Sequence, residues 1–189
     1  MAFDATLCVA TVAEVKDFLR KSDDQDLAVL DAIANGVGAY FKSATGRQFI
    51  VPASDATVKL DGTGGVDLWL PDYPIVSVTS IKELGVTLVK DTDFYQYDPA
   101  GRLRRAGHAW TDEPQGVEAV YKAGYAVESV PQDLKMAFMV QVAELWKRFK
   151  TQSWGETNRT LAQQSVTLPE EDILPLVKSV LWHYRRHSL

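Results

Sequence analysis

The chain has 189 residues, 46% of them hydrophobic and 24% charged. That suits one ordinary globular domain, or a small domain with a second one inserted, and excludes a large multidomain enzyme or a disordered chain. Its 20 Lys and Arg against 25 Asp and Glu give a formal charge of -5, so the surface as a whole offers no general attraction to nucleic acid or to an anionic membrane. Cys8 is the single cysteine, which excludes an intrachain disulfide, a multi-cysteine zinc site and an iron-sulfur cluster and fits a reducing compartment.

The first residues, MAFDATLCVATVAEVKDFL, have no basic start and no long apolar run, so no secretory signal is expected. No stretch approaches the roughly 18 apolar residues of a membrane span. The expectation is a soluble protein made in the cytoplasm. Charge divides the chain into three: residues 1–46 hold 4 basic and 7 acidic groups, 47–128 hold 8 and 12, and 129–189 hold 8 and 6. Only the last segment is basic.

Thr11 followed by Glu14 has the spacing of a capping box, and Val12, Val15, Phe18 and Leu19 give a helix over about 12–21 one apolar stripe. Ser22-Asp23-Asp24 interrupts it and offers a cap for a longer helix, in which Leu27, Leu30, Ala34, Val37, Phe41 and Ala44 form a narrow seam that Gly46 ends. Gly36 and Gly38 lie inside that helix at about 1 kcal/mol each relative to Ala. The compensation expected is close approach of another helix along a small-residue side.

From about residue 49 to 128 the period shortens to two. Val58 and Leu60, then Val66, Leu68 and Leu70, then Val76, Val78 and Ile81, then Phe94, Tyr95 and Tyr97, and finally Val117, Ala119 and Tyr121 fall in short runs separated by Gly- and Pro-rich turns. This predicts a small antiparallel β unit of five to seven strands. Pro131 suits a first helical turn, and Leu134, Phe138, Gln141, Val142, Leu145 and Phe149 mark a helix to about 150, with Trp146 widening its apolar face. Residues 151–168 are polar and aperiodic, predicting a mobile loop. A last helix spans about 170–186, with Ile173, Val177, Val180, Leu181 and Tyr184 on its stripe and Arg185 and Arg186 in its last turn, where cations suit the helix dipole. The fold class expected is α+β: a bundle of about four helices, residues 1–48 and 129–189, carrying an inserted small antiparallel β unit at 49–128.

No catalytic constellation emerges. His183 and His187 are spaced i, i+4, but a zinc site needs further ligands and no HExxH surrounds them, while His108 stands apart. Asp61-Gly62-Thr63-Gly64-Gly65 lacks the GxxxxGK[ST] pattern of a phosphate loop and reads as a hairpin turn. Cys8 has no supporting motif and no GxSxG elbow occurs. An enzyme is not expected, and no cofactor or metal. The features left are the basic cluster Arg102, Arg104 and Arg105 with His108, in which Arg102 and Arg104 share one strand face, and Trp154 in the polar stretch. The cluster reads either as a solvated face protecting an edge or as a contact with DNA or an acidic neighbour; Trp154 reads as an aromatic folded onto its own domain or as an anchor for a partner.

The order of pieces resembles the head-tail connector family of tailed phages, also called adaptors or head-completion proteins and found in gene transfer agents. The residues carrying the resemblance are Val15 to Leu19, Tyr40 and Thr45-Gly46-Arg47-Gln48-Phe49, Leu70-Pro71 with Pro74-Ile75-Val76-Ser77-Val78, Val120 to Ala126, and Val130 to Ala137, with Tyr184-Arg185-Arg186 at the end. The resemblance implies a structural virion protein, present in the host cytoplasm before assembly. It would form a ring with copies of itself, a dodecamer in the particle, under the portal protein. That ring would extend the channel through which genomic DNA passes without sequence specificity, and it would dock a stopper or other tail-completion protein; no membrane is implied. Under that expectation Trp154, Leu161, Arg185 and Arg186 contact the portal or a neighbour, Arg102, Arg104 and Arg105 face channel DNA or a neighbour, and Gly36 and Gly38 pack within the ring. The alternative is a monomeric α+β module binding a peptide or ligand.

Overall fold

A computed structural model describes residues 2–151, 158–161, 164–167 and 173–185, the stretches 158–161 and 164–167 through their backbone alone. The chain forms two compact units, one of Met1–Thr45 with Val130–His187 and the other of Gly46–Ser129.

The helical unit is built of α1 (Val12–Phe18), α2 (Leu27–Thr45), α3 (Gln132–Thr151) and α4 (Pro175–Tyr184). The capping box forms: Thr11 Oγ1 accepts from Glu14 N at 3.2 Å and Glu14 Oε2 accepts from Thr11 N at 2.7 Å. A left-handed turn at Arg20 (φ 53°) then stops α1 short of residue 21. The carboxylates of Asp23 and Asp24, expected to cap α2, pair instead with Lys21 and Lys16, and α2 starts from backbone bonds to the Asp26 carbonyl. Along its seam Leu30, Ala34, Val37 and Phe41 are buried, and Phe41 meets Phe138 of α3 edge to face with centroids 5.7 Å apart. Buried Gln141 reaches from α3 to the start of α4, its Oε1 accepting from Leu174 N at 3.0 Å. Val177 and Leu181 bury the inner stripe of α4. In the polar stretch 151–168, two short antiparallel strands, 158–161 and 164–167, replace part of the expected loop.

The two helix glycines part company. A Cβ on Gly38 would lie 2.7 Å from the Leu7 carbonyl oxygen, whereas one on Gly36 would meet nothing within 4 Å. Positions two apart on a helix differ by about 200°, so they share no side. The backbone approaching Gly38 is the amino-terminal segment of its own chain rather than another helix. Gly38→Leu is expected to destabilise the protein by about 1–3 kcal/mol through overpacking, while Gly36→Ala gains up to about 1 kcal/mol. Thermal unfolding of the two variants checks this, and equal melting points would refute it.

A half-buried ion pair ties α1 to α3. Lys135, 6% exposed, places Nζ 2.7 Å from Glu14 Oε1. Burial pushes the Glu14 carboxyl up, but hydrogen bonds from Lys135 and Thr11 and the Lys135 charge outweigh it and leave the pKa below its usual value. A carboxyl lowered on folding contributes stability above its unfolded pKa and loses that contribution as pH falls through the lowered folded value. Acid titration of wild type against Glu14→Gln is expected to show a smaller loss of stability in the variant below about pH 4.5. Parallel curves would remove the ion pair from the acid response.

The second unit holds seven strands: β1 (Ala56–Leu60), β2 (Asp67–Trp69), β3 (Ile75–Glu83), β4 (Val86–Leu88), β5 (Phe94–Tyr97), β6 (Arg102–Arg105) and β7 (Val117–Ala123). They form two antiparallel sheets, one ordered β1-β7-β3-β4 and one ordered β2-β6-β5. This corrects the expectation of a small β insert. Two sheets enclose a core of their own, with Leu68, Ile81, Phe94, Leu103, Trp110, Val117 and Tyr121 all buried, because the inward residues of every strand recur at period two. Residues 61–65 also depart from expectation: they join strands of different sheets rather than turning a hairpin, with Gly62 N and Gly64 N donating to the carbonyls of Glu113 and Thr111.

Pieces that carry the family resemblance, far apart in sequence, meet in this unit. Arg47, 2% exposed, lays its guanidinium over the Tyr73 ring at 3.3 Å from the centroid and donates to the Tyr73 carbonyl. The Tyr73-Pro74 bond is cis. Gln48 N donates to Asp72 Oδ1 at 2.9 Å, and Gly124 N to the Pro74 carbonyl at 2.9 Å. Tyr125 N donates to Phe49 O and Val51 N to Tyr125 O, at 2.7 and 3.1 Å. The first residues of the unit are thereby clasped to nearly its last.

Candidate functional site

The outer face of the three-stranded sheet concentrates the side chains suited to recognition. Because β6 lies between β2 and β5, residues facing each other across the strands stand in rows: Trp69, Arg102 and Tyr97 form one, and Asp67, Arg104 and Tyr95 the next. Leu68, Leu103 and Gln96, one residue along, point to the opposite face, where Leu68 and Leu103 join the core. Alternation thus turns six large polar and aromatic groups outward together. Trp69, Tyr95 and Tyr97 are 39%, 47% and 40% exposed. The Arg102 guanidinium sits 4.1 Å from the Tyr97 ring centroid and 6.0 Å from that of Trp69, within cation-π range, and 3.9 Å from Asp67 Oδ2. Arg104 is exposed, and among the described residues no ion pair to it is recorded.

Arg105 belongs elsewhere. Adjacent residues of a strand face opposite ways, and Arg105 Nε and Nη2 lie 3.1 and 3.0 Å from Glu83 Oε2, with Nη1 donating to the Asp93 carbonyl at 2.7 Å. Glu83 Oε1 in turn accepts from Thr111 N at 2.6 Å. This arginine is engaged inside its own unit and is not presented to DNA or a neighbour. His108 is exposed in the loop beyond.

Trp154 and Arg186 lie outside the described residues, as does the side chain of Leu161. Arg185 follows the last turn of α4, exposed, with its guanidinium 5.7 Å from the Trp182 ring. Trp182 is 70% exposed, and the sequence reading passed over it because, directly after Leu181 of the α4 stripe, it resembles one more apolar helix residue. Trp69 was likewise missed, since its partners are 28 and 33 positions away. Gly38 is filled by its own chain and Gly36 stands open. Cys8 is buried, its thiol pushed up to about 12 by burial and by the charges of Asp4 and Asp31, so it stays protonated and inert. Among the described residues no three His, Cys, Asp or Glu are placed to hold a metal ion, and no helix is long and apolar enough to cross a membrane.

The model of a family described as head completion protein matches residues 9–187. The chain belongs to the head completion protein family. It is therefore a structural virion protein acting as a head-tail connector, in a family of structural proteins and not of enzymes. No curated protein matches the sequence. Among solved structures, the head completion fold seen here is similar to a chain of the neck of an empty gene transfer agent particle computed with C6 symmetry, with a TM-score of 0.62 and 18% identity over 100% of this chain and 96% of that one. A chain of the virion of the native gene transfer agent particle gives 0.62 and 18% over 100% and 94%. One from the native neck computed with C12 symmetry gives 0.61 and 18% over 100% and 96%.

Proposed function

We propose that this head completion protein assembles as a ring, a dodecamer in the particle, beneath the portal protein of a filled capsid. The ring lengthens the channel that genomic DNA traverses and gives the stopper or other tail-completion protein a platform. The observation that carries the reading is the family match over nearly the whole chain; the likeness of fold to chains of a particle neck, one of them computed with C12 symmetry, supports it. Residues 1–48 and 129–189 act as the connector body and 49–128 as an insert. The basic carboxy-terminal segment, with Trp154, Leu161, Arg185 and Arg186, makes the portal contact, to which exposed Trp182 adds an aromatic anchor. Electron microscopy of particles tests the placement: the chain is expected between capsid and tail. Finding it only in the cytosol of infected cells, never in particles, would overturn the reading. Sedimentation with portal tests the segment, since a chain lacking residues 151–189 is expected to lose binding.

A further inference from the structure

We propose that the outer face of the β2-β6-β5 sheet is the surface by which one copy of this chain grips the next, Arg104 taking a carboxylate of the neighbouring copy's β unit while Trp69, Tyr95 and Tyr97 pack around it. The inference rests on the ring reading and names the residues that would hold the ring. Composition selects a protein partner. Tyr, Trp and Arg are the groups enriched at the centres of protein interfaces, and they supply wide contact with few rotamers to order. Duplex DNA would instead need a track of several basic groups along its phosphates, whereas here Arg102 is already held by Asp67 and Tyr97 and Arg105 faces inward, leaving Arg104.

Charge selects a second copy. Residues 47–128 carry 12 acidic groups against 8 basic, and Asp61, Asp91, Asp112 and Glu113 are exposed. Their loops are fixed in place: Asp61 Oδ1 accepts from Gln115 N at 2.7 Å, and the Glu113 carbonyl from Gly62 N at 3.0 Å. Any copy of the chain therefore offers exposed carboxylates on anchored loops to the Arg104 of another. A twofold contact centred on Arg104 would set that arginine against its own copy. Unlike patches must meet, and head-to-tail contacts of that kind are those that close into rings.

The test compares intact particles with particles emptied of DNA, using nitration of Tyr95 and Tyr97 and counting copies of the chain per neck for wild type and Arg104→Glu. Both tyrosines are expected to be protected in filled and emptied particles alike and reactive in the free protein. Arg104→Glu is expected to melt slightly below wild type, because the new carboxylate faces Asp67 across the strands, yet to remain folded, associate at least about tenfold more weakly and leave necks short of copies. Protection lost on emptying would make DNA the occupant and overturn the proposal. Tyrosines reactive in both particles, or a full count of Arg104→Glu, would overturn it while the neck assignment stands. A wild-type chain absent from the neck would overturn both.

Discussion

Arg47→Ala is expected to cost about 3–5 kcal/mol. It removes a charge-assisted bond to the Tyr73 carbonyl, worth about 1.5–3 kcal/mol, and a stacked guanidinium whose removal leaves a cavity beneath Phe49 and Tyr73. Arg47→Lys restores the charge but not the planar stack, so it recovers only part of the loss. Urea unfolding measures both against Arg20→Ala, an exposed control, with the slope checked for change. A midpoint for Arg47→Ala within error of wild type would mean that the clasp contributes nothing.

Gly124→Ala should be nearly as damaging. Gly124 has φ 120°, and a Cβ there would lie 2.8 Å from both Phe49 O and Val51 N. Backbone strain of about 1–3 kcal/mol adds to overpacking of similar size, for about 2–6 kcal/mol together. The clashing atoms are backbone already hydrogen-bonded to Tyr125, so neither can yield without breaking the clasp. Hydrogen exchange of the Val51 and Tyr125 amides is the measurement: both should lose protection before the strands do. Unchanged exchange would show that the backbone absorbs the methyl group.

How much was legible in the sequence depends on the distance between the residues involved. The Thr11-Glu14 box and the Leu30-Phe41 seam were readable because their partners lie within one or two helical turns. Strands were readable as alternation, and so was the shared face of Arg102 and Arg104. Pairing was not: nothing local joins Trp69 to Arg102 or Arg102 to Tyr97, and β4, three residues long, carries too little pattern to see. The same alternation that paired Arg102 with Arg104 turns Arg105 inward, a signal present but unused. Gly36 and Gly38 were grouped by composition where helix geometry separates them. In the carboxy-terminal stretch, polar composition suggested a loop, yet backbone pairing between 158–161 and 164–167 needs no apolar period.

The clasp between residues 47–51 and 124–125 bears on the order in which the chain acquires its structure. Helices α2 and α3 must find each other across the whole length of the β unit, and a floppy insert would make that a long loop to close. With Phe49, Val51 and Tyr125 already zipped, the helices see only the few residues outside the zipper. Each halving of a loop saves about 0.6 kcal/mol of closure entropy, so nearly three halvings lower the search cost by about 2 kcal/mol. The insert thus serves the helices as a short turn, and a β unit that folds early would speed the docking of α3 on α2.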